Sequence, residues 1–78
     1  MMSPILARVP LESTLLAAAV YDDSRRQLEL DFRDGTRYLY CGIAPCLFRD
    51  LLSAVSKGVF FNRCIRDRFP YTKLPPEN

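Results

Sequence analysis

Polar and apolar residues alternate strictly from Gln27 to Phe32, so an extended backbone would place Leu28, Leu30 and Phe32 on one face, toward a core. An earlier apolar run, Leu15 to Tyr21, reads as a strand ended by the turn-forming Asp22, Asp23 and Ser24. Asp34-Gly35 marks a tight turn into Thr36–Cys41, which closes an antiparallel hairpin. After Gly42 the period changes. Leu47, Phe48, Leu51, Leu52 and Val55 form one stripe of a helix that Pro45 can open, with Arg49, Asp50 and Ser53 toward water. Ser56-Lys57-Gly58 breaks that helix, and Phe60, Phe61, Cys64, Ile65 and Arg68 make a second short stripe ending before Pro70.

The expected architecture is α+β: a three-stranded antiparallel meander, with the Asp34-Gly35 hairpin inside it, packed by two short C-terminal helices in the order βββαα. The expected organisation is an N-terminal arm at 1–12, one domain at 13–74 and a disordered tail at 75–78. The first strand carries no charge although a meander leaves it on an edge, where charge or a cover normally blocks unwanted pairing. Either Ile5 to Leu11 folds back over it, with Pro10 blunting the edge, or a partner or second copy adds a strand there.

The turn also decides what Tyr38 and Tyr40 do, because pairing register sets the face each side chain takes. A two-residue Asp34-Gly35 loop pairs Leu39 with Leu30 and leaves both tyrosines outside beside Asp31 and Glu29, as an aromatic platform of the kind that stacks bases. A three-residue loop, Arg33-Asp34-Gly35 with Gly35 in a left-handed bulge, pairs Tyr38 with Leu30 and Tyr40 with Leu28 and turns them to the core. Burial of large aromatics and the two acidic neighbours favour the second arrangement.

With 78 residues the chain has room for one core, which hides only about 60% of the unfolded surface. Apolar residues at 49% and charged residues at 26% are globular values, and the longest apolar run is far below the roughly 20 residues needed to cross a bilayer. Arg8 and Glu12 interrupt the region a signal peptide would need, so the start is expected to be mature protein. Cys41, Cys46 and Cys64 are odd in number and show no disulfide spacing, which suits a reducing cytoplasm. With no histidine and no Cys-x-x-Cys pair, no metal or other cofactor is expected. The absence of histidine, of a Gly-rich nucleotide loop and of a nucleophile beside a recognisable base argues against catalysis.

Net charge is +2, yet residues 1–56 carry six Arg/Lys against seven Asp/Glu and residues 57–78 carry five against two. Asn62, Arg63 and Arg66 share the helix face opposite the aromatic stripe, and Arg68 and Lys73 follow, so phosphate contact is one reading of this end. A solvated helix face with an Arg63–Asp67 pair at i,i+4 is the plainer one. Ser56, Lys57 and Gly58 precede the second helix, whose free N–H groups can hold an anion. Alternatively, Ser56 is only an N-cap and Gly58 a close-packing or turn residue.

The segment Ala54-x-Ser56-x-Gly58-x-Phe60-Phe61-Asn62-x-x-Ile65-Arg66, after Tyr38-x-Tyr40 and an Asp-Gly hairpin, resembles the KTSC domain family, named for a domain at the C-terminus of some lysyl-tRNA synthetases. The resemblance spans about Ser13 to Leu74. It implies the same α+β fold; the family has no established activity, and the synthetase connection suggests RNA. This chain departs from the family pattern in having its proline at Pro45 rather than at position 44, and in the alanines Ala17 to Ala19, where larger side chains are usual. The expectation is a non-catalytic module binding RNA through Ser56, Lys57, Gly58, Asn62, Arg63, Arg66 and Arg68, with Tyr38 and Tyr40 stacking bases if exposed. The alternative is a protein-interaction or dimerisation module using the first strand or the aromatic surface.

Overall fold

The hairpin predicted from the alternation organises the molecule. A computed structural model describes residues 8–76, which form β1 (Arg8–Pro10), β2 (Leu16–Asp22), β3 (Gln27–Phe32), β4 (Arg37–Cys41), α1 (Pro45–Ser53), α2 (Lys57–Cys64) and β5 (Tyr71–Leu74). All five strands make one antiparallel sheet in the order β1-β2-β3-β4-β5. The α+β class and the two helices are as expected, but the sheet has five strands rather than three. The two additional strands are three and four residues long. They are too short for alternation to stand out, and Pro10 at the end of β1 and Pro70 and Pro75 around β5 read as breaks.

Of the segment from Ile5 to Leu11 expected as a cover, residues 5–7 lie outside the described residues. The rest pairs with β2, Val9 opposite Ala19 and Pro10 opposite Ala18. The first predicted strand is therefore an inner strand and not an edge, and Leu11 beyond β1 is buried.

The loop question is settled by Gly35, whose φ of 92° lies in the left-handed region that a side chain would disfavour. The Phe32 N–H donates to the Thr36 carbonyl at 2.8 Å and the Gly35 N–H to the Phe32 carbonyl at 3.0 Å, so the loop is Arg33-Asp34-Gly35. Asp34 Oδ1 holds it by accepting from the Thr36 N–H at 2.9 Å and hydroxyl at 2.6 Å. Leu30 consequently pairs with Tyr38 and Leu28 with Tyr40, which turns both tyrosines to the face that carries Leu28 and Leu30.

That face packs against the helices. Leu16, Leu28, Leu30, Ile43, Leu51 and Ile65 are fully buried, with Ala19, Tyr40 and Phe61 beside them. The small Ala19 sits between Val9 and Leu30 in the pairing. Tyr21 stacks on Phe48 with ring centroids 4.6 Å apart, and its hydroxyl donates to the Ile43 carbonyl at 2.6 Å, fixing the start of α1 against β2. Pro45 opens α1 as expected. Val55, expected on its apolar stripe, is instead fully exposed, because α1 stops at Ser53 and the extended Ala54 leads the chain outward. The opposite face of the sheet carries ion pairs: Arg8 reaches across β2 to Asp31, and Arg37 bridges Glu29 at 2.7 Å and Asp31 at 3.5 Å. The Pro75 carbonyl, in the expected tail at 75–78, accepts from Arg37 Nη1 at 3.0 Å, while residues 77–78 lie outside the described residues.

Candidate functional site

The same register that sends Tyr38 and Tyr40 inward places them at the end of the core. Tyr40 is 5% exposed and Tyr38 is half-buried, so neither stands on an open platform. Beyond them the sheet and α2 diverge and leave a cleft of about 330 Å³. Strand β5 brings Tyr71 opposite Tyr40. Its ring lies 5.6 Å from Tyr38, edge to face, and 5.7 Å from Tyr40, and it is 55% exposed. Phe61 packs edge to face on both Phe32 and Tyr40, at 5.3 and 5.6 Å, and closes the floor. The polar lining is Asp34 and Thr36 from the hairpin, Asn62 from α2, and Arg66 and Asp67 from the turn just past it.

The charges at this mouth are mixed. Arg66 Nη1 donates to Asn62 Oδ1 at 3.4 Å, joining the two across one helical turn. The hydrogen bond from the Thr36 hydroxyl, followed by that from its N–H, holds the Asp34 carboxyl below its usual range, so it is ionised at neutral pH. Burial is the main reason that the Tyr40 hydroxyl is pushed up to about 12; the neighbouring Tyr38 and Tyr71 add to this and Arg66 opposes it. Tyr40 is thus a neutral donor throughout the physiological range.

Of the residues predicted for binding, the structure brings Tyr38, Tyr40, Asn62 and Arg66 together in this cleft. Arg63 and Arg68 lie next to it, lining a shallow depression that shares Asn62, Arg66 and Asp67. The i,i+4 pair of Arg63 with Asp67 is not formed: α2 ends at Cys64, and Asp67 turns away with φ of 61°. Arg68 Nε instead donates to the Arg63 carbonyl at 2.7 Å.

Ser56, Lys57 and Gly58 lie elsewhere, beside Glu12, Ser13 and Thr14. There Ser56 caps α2 by accepting from the Val59 N–H at 3.3 Å, and Lys57 Nζ donates to the Ala54 carbonyl at 3.1 Å. Gly58 faces Leu15, to whose Cβ an added methyl would come within 3.4 Å. Ser56 and Lys57 thus have local structural roles, and Gly58 packs beside Leu15 with room for a Cβ.

Tyr71, Asp34 and Asp67 were not among the predicted residues. The signal for Tyr71 was slight: a tyrosine and a threonine between Pro70 and Pro75. All three cysteines are free.

The KTSC domain profile matches residues 12–69. A protein of Tsukamurella paurometabola is 43% identical over 60 residues, covering 77% of this chain and 90% of its own length. A protein of Stutzerimonas stutzeri is 34% identical over 61 residues, covering 78% of this chain and 86% of its own. A lysine–tRNA ligase of Nostoc punctiforme is 30% identical over 63 residues, 81% of this chain but only 11% of the ligase. Among solved structures, a KTSC domain protein from Yersinia pestis superposes with a TM-score of 0.87 at 34% identity, covering 91% of this chain and all of that one. With the profile spanning most of the chain and the hairpin, helix pair and aromatic cluster in place, this chain belongs to the KTSC domain family.

Proposed function

We propose that this domain is a non-catalytic module that binds single-stranded RNA at the tyrosine cleft and the adjoining arginines. One observation carries the reading: the exposed Tyr71 ring and the half-buried Tyr38 open onto the same cleft as Arg66 and Asn62, with Arg63 and Arg68 continuing along the surface. Aromatic rings beside guanidinium groups suit a strand whose bases stack while its phosphates pair with arginine. The ligase of Nostoc punctiforme, whose name states a tRNA substrate, contains a related segment, which agrees with an RNA ligand. The interaction-module alternative had two routes, an open edge at the first strand or the aromatic surface. With β1 on that edge, an added strand would have to pair with β1 or β5 instead.

The test is fluorescence anisotropy with labelled single-stranded RNA across a salt series. Binding should weaken as salt rises, and replacing Arg63, Arg66 and Arg68 together by alanine should remove most of it. No binding at low salt, or binding indifferent to salt, would end this reading.

A further inference from the structure

The two edges of the sheet differ in what their backbones offer. Beside β1, the Leu11 N–H donates to the Ala17 carbonyl at 2.9 Å, so by the alternation of antiparallel pairing Val9 turns its groups to β2, and the outward residues are Arg8 and Pro10. Pro10 has no N–H, which blunts that edge. Beside β5, the Cys41 N–H donates to the Pro70 carbonyl at 3.0 Å, one step before the Tyr40–Tyr71 pair. The same alternation gives Thr72 and Leu74 the bonds to β4 and turns the N–H and C=O groups of Tyr71 and Lys73 outward. The other side of β4 agrees: the bond from the Phe32 N–H to the Thr36 carbonyl assigns Tyr38 and Tyr40 to β3 and leaves Arg37, Leu39 and Cys41 for β5. The outward groups of Tyr71 and Lys73 have no hydrogen-bond partner among the described residues, and Tyr71, Thr72 and Lys73 are all exposed.

This edge is complementary to itself in one register. With Thr72 opposite Thr72 of a second, antiparallel copy, Tyr71 of each copy stands opposite Lys73 of the other, and each such pair exchanges both of its N–H to C=O bonds. Sliding the register by two residues sets Tyr71 opposite Pro75, which has no N–H and whose carbonyl accepts from Arg37, or sets Lys73 opposite Phe69, outside the strand. Lysine on an edge normally discourages pairing. Here the antiparallel arrangement sets it directly against a ring and not against another lysine.

We propose that β5 is a self-association edge, through which two copies join into one continuous sheet and each gives its Lys73 to the tyrosine cleft of the other. Cross-strand neighbours share a face, so Tyr71 and Lys73 stand on the side of the sheet that carries Tyr40 and Tyr38. On that side the ammonium of the second copy's Lys73 comes within reach of the Tyr71 ring, as a cation beside an aromatic face. The pairing does not depend on RNA binding.

Sedimentation velocity and backbone amide exchange of the full chain, followed from roughly 10 μM to 1 mM, test it. A contact of three residues a side is far smaller than a standard interface, so the dimer should be half formed only at roughly 0.1–1 mM. The amide protons of Tyr71 and Lys73 should become protected over that range, while that of Thr72, committed to β4, is protected throughout. Lys73→Pro deletes an outward N–H and touches no bond to β4, so it should weaken association by about tenfold or more, with thermal melts reporting its fold. A chain that is monomeric at the highest concentration, a dimer that a folded Lys73→Pro forms as well as the parent, or protection arising at Arg8 in place of Tyr71 and Lys73 would overturn the proposal. Protection of the two β5 amides by an alternating valine–threonine peptide, in a chain that stays monomeric without it, would assign the edge to a foreign strand and overturn it as well.

Discussion

Tyr71→Ala separates what the cleft does from what holds it up. The ring is 55% exposed, and its contacts on the structure side are the edge of Tyr38 at 5.6 Å and the tilted face of Tyr40 at 5.7 Å. Aromatic pairs contribute about 0.5–1.5 kcal/mol each when well packed. For a ring half in water, the loss of both should come to about 1 kcal/mol. In a domain of this size that lowers Tm by roughly 4–8 °C and leaves most of a total stability of roughly 4–12 kcal/mol. Binding should suffer more, because stacking on such a ring is worth about 1–3 kcal/mol per base, or roughly 5- to 150-fold in Kd. The slope of log affinity against log salt should not change, since no phosphate contact is removed, whereas Arg66→Ala should reduce it by about 0.7 per lost phosphate. Phe61→Ala is the contrasting control: the ring is 3% exposed, so its removal should cost about 3–5 kcal/mol and unfold much of the protein. The assay is anisotropy at several salt concentrations beside thermal melts of the same preparations. A folded Tyr71→Ala whose Kd stays within about twofold of the parent would refute the stacking geometry.

Gly58→Ala should be neutral or stabilising by about 0.5 kcal/mol, because the added Cβ meets Leu15 at an ordinary 3.4 Å while glycine in a helix is disfavoured; Gly58→Val should destabilise by crowding Leu15, and thermal melts distinguish the pair. In alkali, unfolded Tyr40 ionises near the ordinary 10 but the folded hydroxyl holds its proton to about 12. Stability should therefore fall as pH rises from 10 to 12 and level off above. After allowance for water reaching the hydroxyl through the cleft, the drop should be about 1–2 kcal/mol. Urea midpoints for the parent and Tyr40→Phe across that window would show it as a slope that the variant loses.

Much of the fold was legible because strong periodicities coincide with buried faces. The alternation that placed Leu28 and Leu30 inward is the alternation of the central strand, and Pro45 and Ser56 sit at the helix starts where their backbone chemistry belongs. The outer strands were not legible for a physical reason. Arg8–Pro10 and Tyr71–Leu74 each have one edge toward solvent, so only Val9 and Leu74 are even half-buried. Apolar patterning is weak where burial is weak. Val55 shows the converse limit: its spacing continued a stripe past the point where Ala54 had already left the helix.

The candidate site was legible only by halves, and the divide follows sequence distance. Asn62 and Arg66 could be placed together because i,i+4 spacing brings side chains to one side, and they stay joined by a hydrogen bond although Arg66 lies just past the end of α2. Whether Tyr38 and Tyr40 would meet them depended on one residue in a turn, since a loop of two rather than three residues would have sent both rings to the other face. Gly35 decides it, and Asp34 reinforces the decision by binding Thr36, so an aspartate that lines the cleft also sets the register that puts the tyrosines there. Tyr71 and Asp67 could not be joined to this group from the sequence. The first depends on a strand that forms only by pairing with β4, and the second on a left-handed turn just past α2. The cleft is thus assembled by the three least periodic features of the chain: a bulged turn, a reversed helix end and a short edge strand. A binding surface made this way can change its lining residues while Leu28, Leu30, Leu51 and Ile65 keep the same core.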